Sequence, residues 1–350
     1  MKKGIRLWIS ILLIVGLMVF GLVACGEKKA TDDTYQDANN PVEQEEDKAQ
    51  DEQQEKDTTE DQENASDEAE GDYYPITIQD RFGKDVVIEQ EPEKIISISP
   101  EMTETLFAIG VGDKVIGRTD YCDYPSDVLS IESIGSLTEP NIEKIIESGA
   151  DVVFASSHVN DESVAQLNEQ GVKVVALSWN ENLEGVYGYM TTIGQVVNRT
   201  QETEDLVTKM KEIFDQYTKA VADLEKPTAY FITGFGEYGD FAATGDTFLG
   251  QLIEMAGAEN AAADGTMWSY SIEKLVEKDP QYLMCSSSYN SKQQIEGLEG
   301  YKTLTAVKEG HLYEVDENLF FRQGPRLADG FARLVEIFHP EAAKIDIGKE

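Results

Sequence analysis

Two stretches of the chain repeat one another without a gap at an offset of 130 residues: NIEKIIESGADVVFAS, from Asn141 to Ser156, and SIEKLVEKDPQYLMCS, from Ser271 to Ser286. Each opens on a good helix N-cap, Asn141 or Ser271, continues as a short amphipathic helix and ends in an apolar run between polar residues. A helix feeding a strand is thus encoded twice, which restricts the chain to a fold with two similar lobes. The echo also keeps Glu143 with Glu273, Lys144 with Lys274 and Glu147 with Glu277, although charged surface positions have no packing reason to recur. Each lobe therefore offers one carboxylate in the first turn of a helix.

The N-terminus reads Met1-Lys2-Lys3 with Arg6 close behind, followed by an apolar run from Leu7 to Val23, a secretory n-region and h-region. A transmembrane anchor of this length is the alternative. The run ends in Leu22-Val23-Ala24-Cys25, which resembles the lipobox of bacterial lipoproteins, in which cleavage precedes the Cys and the thiol carries a diacylglyceryl group. Acyl chains at about 0.8 kcal/mol per buried methylene then hold the mature protein, beginning at Cys25, on the outer face of the cell membrane. Residues 26 to 72 carry 19 Asp or Glu against 4 Lys and no hydrophobic period, so they are expected to be a disordered acidic tether. Setting this tract's −15 and the leader's +3 against the total of −38 leaves −26 for residues 73 to 350. Such a charge repels nucleic acid and anionic lipid.

The remaining residues suffice for two packed lobes. Ile76 to Ile78 and Val86 to Ile88 predict a hairpin. KIISIS, then a helix from about Glu101 to Ile109 with Met102, Leu106 and Ile109 inward, then Lys114 to Gly117, predict strand, helix and strand. After the loop TDYCDYP comes the first echo, then a helix near Val164 to Glu169 and a strand from Val172 to Leu177. Alternating strands and helices imply parallel sheets covered on both faces. From Glu181 to about Leu224 the pattern is helical, with Leu206, Met210, Ile213, Tyr217, Val221 and Leu224 spaced by three or four. This reads as one long helix between lobes, stopped by Pro227. TAYFIT opens the second lobe, with a helix at Phe248 to Met255, the second echo, a strand at His311 to Val315 and a helix from Arg326 to Phe338. The expected organisation is a leader (1–24), a tether (25–72), an N-terminal lobe (73–198), an inter-lobe helix (199–226) and a C-terminal lobe (227–350). The fold class is α/β, two Rossmann-like lobes with the ligand cleft between them. Cys122 falls in a loop and Cys285 in a core strand, so two free thiols are expected.

The segments SISPEMTETLFAIGVGDKVIGRTDYCDYP, IGSLTEPNIEKIIESGADVVFAS, TGDTFLGQLIEMAGAENAAAD, SIEKLVEKDPQYL and FFRQGPRLADG, in that order behind a lipobox, resemble the iron-siderophore and cobalamin family of ABC-transporter substrate-binding proteins. The resemblance spans residues 74 to 340. It implies a monomeric receptor that catalyses nothing, captures a cobalt- or iron-containing chelate and delivers it to a permease driven by a cytoplasmic ATPase. The implied preference is a corrinoid, then a ferric siderophore, then haem. An exported enzyme or a metal-chelate chaperone on the same fold is the alternative. The resemblance makes Glu143 and Glu273 the residues that dock onto permease arginines. A first-turn carboxylate is favoured by the helix dipole and can receive a bidentate guanidinium.

The same resemblance implies ligand contacts at Tyr121 and at Trp268, with Tyr238 and Phe241 as further aromatic candidates; the rival reading for each is core packing. Arg322, in the Arg-x-Gly-Pro-Arg stretch, either meets an anionic ligand group or forms a structural ion pair. His158, after the first echo, is either a polar loop residue or a metal ligand in the cleft, with Met102 as a conceivable partner opposite. Leu137, six residues before Glu143, stands where some cobalamin-binding relatives have an aromatic. Gly234-Phe-Gly236-Glu-Tyr-Gly239 fits G-x-G-x-x-G after a strand, but no helix opens there, as a dinucleotide site requires. His158, His311 and His339 are too few and scattered for a zinc or manganese importer. No spacing suggests nucleophilic catalysis.

Overall fold

A computed structural model describes residues 73–178, 182–237 and 239–344; the leader, Cys25, the acidic tract and Tyr238 lie outside the described residues. β1 (Ile76–Gln79) and β2 (Asp85–Ile88) form an antiparallel hairpin. Its turn is closed by the Asp80 carboxylate, which accepts the amides of Phe82 and Lys84 at 2.9 Å each. β3 (Ile95–Ile98) leads into α1 (Pro100–Ala108), where Pro100 suits the first turn because its missing N–H would have had no partner there. β4 (Val115–Arg118), α2 (Ile142–Ser148), β5 (Val152–Ala155), α3 (Asp161–Glu169) and β6 (Val174–Ala176) complete a sheet ordered β4-β3-β5-β6, parallel throughout. Every residue of β3, β5 and β6 is buried, as a parallel sheet covered on both faces demands. Burial of each Ile or Val there stabilises the lobe by roughly 1.5–3 kcal/mol.

The long helical stretch differs from its expectation. It is two helices, α4 (Leu183–Val196) and α5 (Thr200–Val221), broken at Val197–Arg199, where Asn198 takes a left-handed φ of 52°. The periodicity ran through the break because it carries neither Gly nor Pro. The helices meet closely at Gly194, where any Cβ would lie 2.1 Å from Thr203 Oγ1. The buried stripe of α5 is Thr203, Val207, Met210, Phe214, Tyr217 and Val221; Leu206 and Ile213 flank it, and Leu224, beyond the helix, is exposed. Phe214 and Tyr217 meet Phe331 of the last helix at ring-centroid distances of 4.5 and 6.3 Å.

β7 (Thr228–Gly234) begins the second sheet, and β8 (Phe241–Ala242) pairs antiparallel with its far end. α6 (Phe248–Met255) leads to β9 (Glu259–Asn260), α7 (Ile272–Lys278) to β10 (Tyr282–Ser286), and α8 (Ser291–Gly297) with α9 (Thr305–Glu309) to β11 (Leu312–Val315). α10 (Asn318–Phe321) and α11 (Leu327–Phe338) close the fold. The parallel strands run β9-β7-β10-β11, the same second-first-third-fourth order as β4-β3-β5-β6. α7, β10 and α8 begin 130 residues after α2, β5 and α3, so the echo continues one helix beyond the repeated sequence. Both echo helices are capped alike: Asn141 Oδ1 accepts the Lys144 amide at 3.0 Å and Ser271 Oγ that of Lys274 at 3.3 Å. One buried cluster runs through α1, α4, α5 and α11, so the lobes share a core. Cys122 and Cys285 are buried and free, and burial pushes the Cys285 thiol up to about 12. No helix among the described residues is long and apolar enough to cross a membrane.

Candidate functional site

Because helices alternate with parallel strands, the loops that follow β5 and β7 leave their sheets at the carboxyl ends, the edge at which α/β folds bind ligands. There the lobes enclose an open cleft of about 360 Å³, lined by His158 from the first lobe and Thr233, Phe241, Trp268 and Phe321 from the second. The volume falls within the range of small-molecule sites. One lobe contributes a single imidazole, its Nδ1 3.3 Å from Ser156 Oγ. The other contributes an aromatic wall in which Trp268 lies 6.2 Å from Phe321, itself edge-on to Phe231 at 6.3 Å. Thr233 and Phe321 were not singled out from sequence; Phe321 lay within the quoted FFRQGPR motif, whereas Thr233 carried no signal beyond its place near the end of a strand.

Of the residues expected in the site, the structure brings together Trp268, Phe241 and His158. Tyr121 is absent from this lining: the residue is 58% exposed and its carbonyl accepts Arg322 Nη2 at 3.1 Å. Met102 is a correction. It has no exposed surface and packs in the shared core, because the α1 face that carries Met102 and Leu106 turns inward; it cannot stand opposite His158 on a ligand. Arg322 takes its ion-pair alternative. Its Nη1 lies 2.8 Å from Glu104 Oε1 and 2.6 Å from Asp123 Oδ1, and Arg326 Nη2 lies 2.6 Å from the same Glu104 oxygen. Glu104 is 2% exposed, so two second-lobe guanidiniums converge on one buried first-lobe carboxylate. Arg326 also stacks over Tyr124 at 4.1 Å. Burial raises the Asp123 carboxyl, but the hydrogen bond and charge of Arg322 outweigh it and hold the group below its ordinary value. Glu101 is buried beside Ser156, Tyr189 and Gln323, and burial raises its pKa.

Glu143 and Glu273 are exposed and, among the described residues, accept no hydrogen bond and form no ion pair. The lysine that follows each is drawn back onto its own lobe, Lys144 to Glu132 at 3.0 Å and Lys274 to Asp264 at 3.4 Å. Neither carboxylate is therefore neutralised by its neighbour. One turn along the same helices, Ile146 and Val276 are exposed as well, again 130 residues apart. Since these helices run back against the strands, their first turns flank the cleft edge. A larger groove of about 730 Å³ runs along α11, lined by Glu314, Asp316, Asp329 and Glu336 with Arg333 and Lys344; Tyr217 is the one aromatic in its lining, against three in the cleft. Among the described residues no three His, Cys, Asp or Glu side chains are grouped to hold a metal ion.

Two α/β lobes of equivalent topology, a shared helical core and a cleft at the carboxyl edges of both sheets define a two-lobed ligand-binding protein. The profile of the periplasmic binding proteins matches residues 95–319, and the chain belongs to that family, a family of binding proteins and not of enzymes. An uncharacterized ABC transporter substrate-binding lipoprotein of Bacillus subtilis, YvrC, is 30% identical over 98% of this chain and 100% of its own length. A cobalamin-binding protein of Halobacterium salinarum is 25% identical over 76% of this chain and 74% of its own. Among solved structures, the periplasmic heme-binding protein RhuT of Roseiflexus superposes with a TM-score of 0.65 at 22% identity, over 72% of this chain and 99% of that one.

Proposed function

We propose that the protein is the extracytoplasmic substrate-binding lipoprotein of an ABC importer, held by a lipid on Cys25 and an acidic tether, and that it acts as a monomer to carry a metal chelate. The observation that carries this reading is the inter-lobe cleft, an aromatic wall facing one imidazole. A broad, flat chelate with no strong net negative charge suits it. Arg322 and Arg326, the cations nearest in sequence to Phe321, are already paired with Glu104 and Asp123, so the lining leaves no guanidinium for a strongly anionic ligand. This favours a corrinoid over a ferric siderophore and over haem with its two carboxylates. The full-length similarity to the Bacillus lipoprotein supports the transport role and the similarity to the Halobacterium protein the corrinoid.

Docking is assigned to Glu143 and Glu273, each free to receive a permease arginine while Lys144 and Lys274 are held elsewhere. Titration of the chain from residue 73 with cyanocobalamin, ferric siderophores and haemin, read by tryptophan quenching, tests the ligand class; no tight binding of any of the three would overturn it. Glu143→Ala combined with Glu273→Ala is expected to abolish uptake in cells while leaving the titration unchanged. Undiminished uptake in that double variant would sink the docking assignment.

A further inference from the structure

Trp268 is held in the cleft wall by a turn that its own sequence disfavours. Ser269 N–H donates to Thr266 O at 3.0 Å, and the two residues between, Met267 and Trp268, have φ of 53° and 62°. Two consecutive left-handed central residues are the mark of a type I′ turn, whose usual occupants are Asn and Gly. A thioether chain and an indole stand in their place, and the Met267 side chain is 82% exposed. Large side chains in this backbone region persist only where the surroundings over-determine them, and such positions cluster at ligand clamps.

The turn's two amides are held by one carboxylate and one hydroxyl. Asp246 Oδ2 accepts the Met267 amide at 2.8 Å, and Asp246 Oδ1 accepts the Thr244 hydroxyl at 2.6 Å. With its proton committed to Asp246, Thr244 Oγ1 has a lone pair for the Trp268 amide, which donates to it at 3.1 Å. On the other side, Ala242 N–H donates to the Trp268 carbonyl at 2.8 Å, tying the turn to β8. Thr244 is fully buried, and its methyl sits where any Cβ at Gly265 would lie 2.6 Å away, so the residue that leads into the turn must also be small.

We propose that Asp246 and Thr244 are positioning residues of the ligand site: their hydrogen-bonded relay holds the Met267-Trp268 turn in its left-handed form and thereby sets the indole as the platform for a flat chelate. This rests on the reading of the cleft as the ligand site, but the relay itself is testable without ligand. The lowered pKa of Asp246, caused first by the Thr244 hydroxyl and then by the Met267 amide, accords with a carboxylate that accepts from both.

The test uses the mature chain from Cys25 labelled with 5-fluorotryptophan, the Trp268 resonance being assigned by Trp268→Phe. Asp246→Ala and Thr244→Val are expected to shift or broaden that resonance and leave that of Trp179 in place. Thr244→Ser, which keeps the hydroxyl, is expected to restore it, and Asp246→Asn, which keeps one of the two acceptor oxygens, is expected to restore it in part. In a parallel titration with cyanocobalamin, the first pair should weaken binding about fivefold or more with the protein still folded, and Thr244→Ser should recover it more fully than Asp246→Asn. A Trp268 resonance unmoved by Asp246→Ala and Thr244→Val, or moved equally by the conservative variants, would overturn the proposal. Failure of cyanocobalamin to bind the parent protein would strike the corrinoid reading alone, since the resonance reports the turn in the unliganded chain.

Discussion

Glu104→Gln is the sharpest probe of how the two lobes hold together. In the parent protein the Glu104 carboxylate, 2% exposed, receives Arg322 and Arg326, whose side chains are 10% and 16% exposed. The glutamine keeps the shape and one acceptor oxygen but leaves two guanidiniums facing a neutral amide in a poorly solvated position. Removing one partner from a buried ion pair costs about 3–5 kcal/mol, mostly through the charge left behind. Arg322 retains Asp123 at 2.6 Å and the Tyr121 carbonyl, so the lower end, about 3 kcal/mol, is expected here. At roughly 2–4 °C per kcal/mol for a domain of this class, the unfolding midpoint should fall by about 6–12 °C. Urea denaturation at neutral pH gives the energy, and hydrogen exchange across α1 and residues 319–326 should show protection lost on both sides of the contact. Replacing all three charges together, Glu104→Leu with Arg322→Met and Arg326→Met, should be milder than Glu104→Gln alone, because no charge is left buried without a partner. A loss below about 1 kcal/mol for Glu104→Gln, or a triple variant much less stable than the single one, would refute this account of the contact.

Two further perturbations separate the cleft from its support. Trp268→Ala should weaken binding of whichever chelate the parent takes by about 1–2 kcal/mol, a factor of roughly five to thirty, and abolish most of the fluorescence quenching, while the urea midpoint stays close to that of the parent. Glu101→Gln should act through pH. Burial raises the Glu101 carboxyl above its unfolded value of 4.5, so the native state binds the proton more tightly and this group contributes less stability as pH rises from that value through the folded one. The variant should match the parent near pH 4 and exceed it at pH 8, the difference opening between those limits; a difference independent of pH in urea unfolding would show that the carboxyl is not buried as an acid.

The repeated segment was legible because two independent periodicities, a capped amphipathic helix and an apolar strand, agreed at one offset, and a parallel sheet needs both. The same offset extends to α3 and α8, where the sequences diverge too far to show it: each helix opens after an Asn, but Asn160 caps with its side chain, whereas Asn290 is left-handed and makes no side-chain cap. The place of Met102 is not legible, because a thioether on a helix near a cleft looks the same in sequence whether the helix turns it outward or in; only the packing of α1 against α4 decides. The α4–α5 break was hidden because a left-handed Asn198 leaves no Gly or Pro to mark it. The Thr266–Ser269 turn was hidden for the opposite reason: nothing in Thr-Met-Trp-Ser suggests a type I′ turn, and local preference argues against one.

Where local preference and structure disagree, the structure is held by long-range contacts, and those sites are where function concentrates. Met267-Trp268 is held from residues 21 to 26 positions away, at Asp246, Thr244 and Ala242, and Glu104 is bound from more than 200 positions away. The duplicated sheets could be read from neighbouring residues because neighbouring residues make them. Single cleft residues such as Trp268, Phe241 and His158 could be named, but their assembly could not, because the aromatic wall and the inter-lobe ion pairs are made by segments far apart in the chain and brought together only when both sheets have formed.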